Sequence, residues 1–208
     1  MLLALDTGTD AVTVALHDGT AVIEEHTVED RLRHGELLGT AIDGVLRRAN
    51  VPPAALTRIA VGVGPGPYTG LRIGIVTATA MAAALGIDAV GVCTLDVVAA
   101  AVRLPGPFVV ATDARRKEVF WARYGSPHER DGDPDVSFPA DVATDLPVAG
   151  NAPSLYPAAF PHAVAPRLPS AATLATLVAG GSARLLPTVP IYLRRPDAVV
   201  PGAPKRVT

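Results

Sequence analysis

The residues best suited to chemistry lie directly after the first apolar segment of the chain. Asp6-Thr7-Gly8-Thr9 follows the apolar run 1–5 and offers a carboxylate, two hydroxyls and a glycine N–H. Such groups suit a nucleotide phosphate with its Mg²⁺, because Mg²⁺ is commonly held by a carboxylate together with phosphate oxygens. Aspartate is also typical of turns and caps at strand ends. The four residues are therefore candidates for nucleotide binding, and a purely structural turn is the alternative.

A second segment with potential for chemistry is the glycine- and proline-rich run 64–74, GPGPYTGLRIG. Glycine permits positive φ and proline fixes φ near −65°, so the run predicts a tight elbow between a strand and a helix. Such an elbow can present backbone N–H groups at the start of a helix to an anion or to a partner's carbonyl. A rigid elbow that serves packing alone fits the spacing equally well.

Other catalytic and metal-binding patterns are missing from the sequence. A Walker A loop is excluded, because neither Lys117 nor Lys205 precedes a Ser or Thr. The dinucleotide pattern GxGxxG occurs at the elbow with one residue too many before its last glycine. No serine lies in GxSxG, and no two histidines form HxxxH or HExxH. The histidines are His17, His26, His34, His128 and His162. We predict no catalytic residue and no metal site.

The composition is that of a soluble globular protein. The chain has 208 residues, 49% of them hydrophobic, and a formal net charge of −2. This near-neutral balance argues against non-specific nucleic-acid binding, which requires a net basic surface. The single cysteine, Cys93, excludes an internal disulfide and fits a reducing compartment. The sequence shows neither a signal peptide nor an uninterrupted apolar run of about 18 residues, so we expect a cytoplasmic protein without a membrane span.

Periodicity predicts a mixed α/β chain that divides after residue 104. Strands are predicted at 1–5, 11–16, 20–28, 56–63, 89–93, 108–112, 118–124 and near 148–151. Helices are predicted at 34–49, 73–85, 94–102, 154–160 and 170–179, with Thr94 and Ser170 as N-caps. The run LPGP at 104–107 separates an N-terminal lobe, 1–104, from a C-terminal lobe, 105–208. A polar loop is predicted at 125–135 and a loose tail from residue 201.

The helices predicted at 34–49 and 73–85 carry more apolar surface than one sheet can cover. The first has apolar residues at spacings of three and four, and the second is apolar nearly all round. Either the two helices cover one another, or their outer side faces another protein. The sequence leaves both interpretations open.

Several motifs resemble those of the bacterial TsaB (YeaZ) family of tRNA threonylcarbamoyladenosine biosynthesis proteins. They are LALDT at 3–7, HGELL at 34–38, the elbow at 64–74, DARRKEV at 113–119 and YLR at 192–194. Gly35 and Pro67 stand where that family usually has Ser. The resemblance implies an α/β fold with the two lobes of actin, Hsp70 and sugar kinases. Each lobe is expected to hold a mixed five-stranded sheet with helices, and the second lobe to be smaller and less regular.

The resemblance also implies a function that depends on other proteins. Members of this family act as the non-catalytic partner of TsaD, which transfers a threonylcarbamoyl group to adenosine 37 of tRNAs that read ANN codons, and the ATPase TsaE completes the set. We therefore expect a heterodimer with TsaD, contact with tRNA through the complex, and a homodimer when the chain is alone. No cofactor of its own is implied, and ATP or ADP is expected only weakly bound or at the interface. The alternative is a phosphotransferase or ATPase of the same fold that uses Asp6 and the turn Thr7–Thr9.

The family's partner surface consists of the two N-lobe helices, which agrees with their excess apolar surface. The residues predicted at the partner interface are His34, Leu37, Leu38, Ala41, Ile42, Val45, Tyr68, Thr69, Arg72, Ile75, Val76, Thr79, Ala82 and Ala83. We expect a charge placed there, as in Leu38→Arg or Ala82→Arg, to abolish partner binding without unfolding the chain.

Overall fold

The first five strands form one mixed sheet. In this computed structural model, which describes residues 1–194, β1 (Leu2–Asp6), β2 (Ala11–His17) and β3 (Val22–Glu29) form an antiparallel meander. β4 (Arg58–Gly62) and β5 (Asp88–Val92) run parallel to β1, giving the order β3-β2-β1-β4-β5. Short turns suffice between antiparallel neighbours, whereas each parallel pair needs a crossover connection, here a helix. The loose tail predicted from residue 201 lies outside the described residues.

Two long helices supply these crossovers and cover one face of the sheet. α1 (His34–Arg48) and α2 (Tyr68–Leu85) pack on the side that carries Leu3 and Leu5. α2 begins at Tyr68, five residues before the predicted start at 73, and ends where Gly86 adopts a φ of +66°. Among the described residues, α2 is the one helix long and apolar enough to cross a membrane. A core helix of a water-soluble protein meets the same criteria, and α2 packs on the sheet through Leu71 and Ile75.

A second, smaller sheet follows. α3 (Thr94–Ala100) leads to β6 (Phe108–Asp113), β7 (Val119–Ser126), β8 (Glu129–Ser137) and β9 (Val148–Ala149). The order is β8-β7-β6-β9, so within residues 1–194 this sheet has four strands where five were expected. The loop predicted at 125–135 is wrong, because most of it belongs to β8. An edge strand that is largely exposed needs few apolar residues, and its polar sequence therefore resembles that of a loop.

Two helices near the carboxyl end complete the fold, α4 (Ala152–Leu155) and α5 (Ala171–Ala179). The prediction of Ser170 as the cap of α5 is confirmed, since its hydroxyl accepts the Thr173 N–H at 3.2 Å. Although α5 follows the second sheet in the chain, its Leu174 packs on the first sheet, on the face that carries Leu2 and Ala4. The first lobe therefore contains residues from both sides of the predicted boundary at 104/105.

The last described residues, 186–194, form what we call the carboxyl-terminal strap. Its contacts are backbone hydrogen bonds between Leu186 and Gly91, a hydrogen bond from the Ile191 N–H to Val63 O, and contacts of the Arg194 side chain with Ala114 O and Glu118. The strap thus joins the first sheet to the turn that follows β6.

Candidate functional site

The Asp6–Thr9 turn, which the sequence predicts as a nucleotide site, is buried beneath the elbow. Asp6 Oδ1 accepts the Gly8 N–H at 2.7 Å, and Asp6 Oδ2 accepts the Thr94 hydroxyl at 2.8 Å. The prediction of Thr94 as a helix cap is wrong, because Cys93 holds the cap position of α3 and the Thr94 hydroxyl serves Asp6 instead. Both carboxylate oxygens of Asp6 are therefore already engaged within the chain.

The glycines of the elbow rest directly on this turn. A side chain on Gly66 would collide with the backbone carbonyl of Gly8, and one on Gly74 would collide with the Thr7 hydroxyl. The Thr7 hydroxyl also donates a hydrogen bond to Gly70 O at 2.8 Å. The elbow is thus packed inward on the turn, which favours the packing interpretation of its glycines over an open anion cradle.

The last residue of the turn is held by α1. The Thr9 carbonyl accepts a hydrogen bond from His34 Nε2 at 2.8 Å, and both side chains are buried. The polar groups of the predicted nucleotide site are therefore turned into the chain along the whole turn. The part formed by Asp6, Thr7 and Gly8 is closed in this structure, whereas Thr9 borders a cavity.

Burial changes the ionisation of Asp6. The pKa of its carboxyl rises from 3.8 to about 6, because loss of hydration outweighs the hydrogen bonds from Gly8 and Thr94 and the nearby charge of His34. The folded chain then binds this proton more tightly than the unfolded chain does. The free energy of unfolding therefore falls as the pH rises, and the contribution of Asp6 is complete below about pH 4 and lost above about pH 6.

Asp6→Asn should remove this part of the pH dependence, since an amide of nearly the same shape does not titrate. We expect the free energy of unfolding of the wild-type chain to fall by roughly 3 kcal/mol more than that of the variant between about pH 3 and pH 7. Urea denaturation at several pH values measures both. Subtracting the two curves cancels other groups such as Asp113, whose pKa is also raised by burial. Parallel curves would contradict a buried, closed turn.

Half of the predicted partner residues lie inside the chain. They are His34, Leu38, Ala41, Ile42, Val45, Ile75 and Ala82. All except His34 belong to the core between α1, α2 and the first sheet, because the apolar sides of both helices face the strands. The prediction of these seven as partner contacts is therefore corrected. Leu38→Arg or Ala82→Arg would place a charge in the core of the chain and not on its surface.

The remaining predicted residues are exposed or half-exposed on the two helices, and we call them the docking face. They are Leu37, Tyr68, Thr69, Arg72, Val76, Thr79 and Ala83. Tyr68, Arg72 and Val76 follow one another at intervals of four along α2 and so form one ridge. Val76 is 62% exposed. The outer side of α2 is thus not covered by α1, and its role at an interface stays a prediction.

Sequence reasoning missed a contact between the docking face and the strap. The ring of Tyr192 stacks on that of Tyr68, with the ring centres 5.0 Å apart, and the Arg72 guanidinium lies 4.5 Å from the centre of the Tyr68 ring. The one hint of this contact in the sequence was the family motif YLR at 192–194, which contains Tyr192. It stood far from the helices in sequence and carried no periodicity that would place it beside them.

A cluster of four charged side chains, also missed, lies where the two lobes meet. The Arg115 guanidinium is 2.6 Å from Asp10 and 3.1 Å from Asp113, and Arg31 lies 3.7 and 3.8 Å from the same two carboxylates. Residues 115–117 all have positive φ, between 54° and 64°, which is costly for residues with side chains. A cavity of about 610 Å³ separates this cluster from the starts of α1 and α2. Asp10 and Arg31 belong to the first lobe, and Asp113 and Arg115 belong to the second. The cluster therefore links the two lobes.

The described residues offer no obvious metal site. Within residues 1–194, no three His, Cys, Asp or Glu side chains are grouped so that they could hold an ion. The buried thiol of Cys93 has a pKa raised to about 12, mainly by burial, and is therefore unreactive.

Comparison with known proteins decides the family. A sequence model of the family described as TsaD, tRNA N6-adenosine threonylcarbamoyltransferase, matches residues 23–173. A solved structure of YeaZ from Pseudomonas aeruginosa matches with a TM-score of 0.75 and 30% identity, covering 92% of this chain and 99% of that one. The chain belongs to the TsaB (YeaZ) family. The match confirms the predicted α/β fold class with two lobes.

Two curated relatives extend beyond the matched region. The tRNA threonylcarbamoyladenosine biosynthesis protein TsaB of Escherichia coli K12 is 35% identical over 127 residues, which cover 59% of this chain and 54% of that protein. An uncharacterized protein of Mycobacterium leprae (strain TN) is 42% identical over 209 residues, which cover 95% of this chain and 56% of that protein. The matches thus span about half the length of each of these two relatives.

Proposed function

We propose that this chain is the non-catalytic partner of a TsaD protein in the formation of threonylcarbamoyladenosine in tRNA. The observation that carries the proposal is the docking face, a ridge of exposed aromatic, cationic and apolar side chains along α2. Tyrosine and arginine are enriched among the residues that dominate binding at protein interfaces. Membership of the TsaB family supports a role in threonylcarbamoyladenosine biosynthesis, because the E. coli relative is named for that pathway.

The shape of α2 supports a helix as the element that docks there. Beyond Val76 the exposed residues of α2 are small, namely Ala80, Ala83 and Ala84. Small side chains let the axis of a second helix approach closely, and the ridges at i and i+4 then pack into the grooves of the partner. A face of this kind exposes apolar surface that monomeric proteins normally cover.

The closed Asp6 turn supports a role without chemistry of its own. An ATPase or phosphotransferase would need the carboxylate of Asp6 to reach Mg²⁺ and the turn to receive phosphates. Here Thr94 and Gly8 occupy the carboxylate, and the elbow covers the turn. Using the site would require the whole elbow to lift away from the first sheet.

The proposal extends to the other components. The heterodimer with TsaD would bring the chain into contact with TsaE and with tRNA, and any ATP or ADP would lie at the interface with the partner. In the absence of TsaD, the docking face would pair with that of a second copy, because a twofold axis lets one surface meet itself. We place this assembly in the cytoplasm.

The test is reconstitution with TsaD from the same organism. Size-exclusion chromatography with light scattering should give a one-to-one complex. Adding TsaE, ATP, tRNA and threonylcarbamoyl-AMP as the donor should yield modified adenosine only when both chains are present. A chain that forms no complex but hydrolyses ATP alone would replace the proposal with the enzyme alternative.

A further inference from the structure

Two exposed tyrosines from distant parts of the chain, one in the docking face and one in the strap, form a preformed stack. Tyr68 opens α2 and Tyr192 lies in the strap, and the two side chains remain 43% and 42% exposed. Their rings are tilted by only 24°. The Arg72 guanidinium also lies over the Tyr68 ring, so Tyr68 contacts both Arg72 and Tyr192 while Tyr192 stays largely accessible.

The position of Tyr192 is fixed from both sides. The preceding residue, Ile191, donates its N–H to Val63 O at 2.8 Å, next to the start of the elbow. Two residues further on, the Arg194 side chain contacts Ala114 and Glu118 in the second lobe. The tyrosine is therefore held in place before any partner binds, which lowers the entropy lost on association.

We infer that Tyr192 is an anchor residue of the partner interface, so that the strap completes the docking face. This inference rests on the proposed function and names a contact outside the two helices. Tyr68, Arg72 and Val76 form one ridge, and the ring of Tyr192 adds to that ridge by stacking on Tyr68. A preformed aromatic surface next to an apolar helix face fits an apolar patch on the partner protein.

A protein fits this surface better than a nucleic acid does. Single-stranded RNA stacks its bases on aromatic rings, but it also needs a basic groove that follows the backbone. Beyond Arg72 the ridge consists of Val76 and small alanines, and these side chains offer phosphates no partner. Binding of RNA by the stack would therefore overturn the inference, and the experiment below includes that result.

The experiment compares Tyr192→Ala with Tyr192→Phe in the full chain. The dissociation constant for TsaD of the same organism is measured by calorimetry, and the folding of each variant is checked by thermal unfolding. We expect Tyr192→Ala to weaken binding between ten- and a hundredfold, as is usual for an aromatic anchor, and Tyr192→Phe by less than about threefold. Phe138→Ala is the matched control, because Phe138 is an aromatic side chain on the second lobe that is even more exposed (54%). It should leave the affinity unchanged.

A double-mutant cycle with Tyr68→Ala makes the test sharper. Since the rings stack, the two losses should be smaller in combination than their sum. If the wild-type chain binds TsaD and Tyr192→Ala binds as tightly, the inference is wrong while the proposed function stands. If Tyr192→Ala loses affinity for tRNA and keeps that for TsaD, the stack is an RNA contact and the inference is likewise overturned. Failure of the wild-type chain itself to bind TsaD would remove the proposed function first.

Discussion

Val76→Arg is expected to abolish the complex with TsaD while leaving the isolated chain folded. Val76 is the most exposed of the large apolar residues of the docking face, and in the proposed complex its side chain would lie in a dry contact between helices. An uncompensated charge buried there costs about 3–5 kcal/mol, which corresponds to a loss of roughly a hundredfold or more in affinity. In the isolated chain the new guanidinium remains in water, and arginine is a better helix former than valine.

The measurement is light scattering of the mixed chains, with thermal unfolding of each variant alone. Val76→Glu is a useful second variant, because the long arginine side chain can reach around the edge of an interface and keep its charge in water. Thr176→Arg is the matched control, since it adds the same charge to an exposed position of α5, away from the docking face. A complex that tolerates both changes at Val76 would place the interface elsewhere on the molecule.

Gly66→Ala is expected to destabilise the chain severely, although it adds only one methyl group. That methyl group would overlap the carbonyl of Gly8, and both groups belong to the backbone or are fixed to it, so neither can turn aside. We expect a loss of more than about 4 kcal/mol in the free energy of unfolding, or no folded protein at all. Gly39→Ala is the control. It lies on the exposed side of α1 with nothing nearby, and should stabilise the chain by up to about 1 kcal/mol.

A rescue experiment keeps this prediction testable if Gly66→Ala fails to fold. At Gly74 the obstacle is the Thr7 hydroxyl, and the Thr7 Cβ is 3.6 Å from the added methyl group. Gly74→Ala should therefore be strongly destabilising in the wild-type chain and less so in combination with Thr7→Ala. Urea denaturation of the four chains gives the coupling. Strictly additive losses would show that the elbow does not rest on the turn.

Local patterns predicted the elements of the first sheet well. Sequence patterns identified the strands at 1–5 and 11–16 and the helix at 34–49. A helix buried on one side has apolar residues at spacings of three and four, and a strand buried on both faces is a short apolar run. β8 was missed for the opposite reason. As an exposed edge strand it buries little, and only its pairing with β7 shows that it is a strand.

The site was harder to predict than the fold. The helix pair was identified correctly as unusual, but periodicity alone does not say which side faces the sheet, and half of the chosen residues lie on the inner side. The Asp6 turn contains the residue types of a phosphate site, and only the packing of Gly66 and Gly74 shows that it is closed. Contacts such as Tyr68 with Tyr192, or Arg115 with Asp10, join residues about a hundred positions apart, and no local pattern contains them.

The return of α5 to the first sheet has a consequence for synthesis of the protein. During translation, β1 to β5 leave the ribosome with α1 and α2, which cover only the face that carries Leu3 and Leu5. The opposite face, with Leu2 and Ala4, is completed by Leu174 and its neighbours, which are made only after the whole second sheet. Consecutive domains commonly fold one after the other during synthesis. Here the amino-terminal lobe cannot finish folding until the carboxyl-terminal lobe has been made. Until α5 emerges from the ribosome, that apolar face lacks the cover of α5 and is accessible to chaperones.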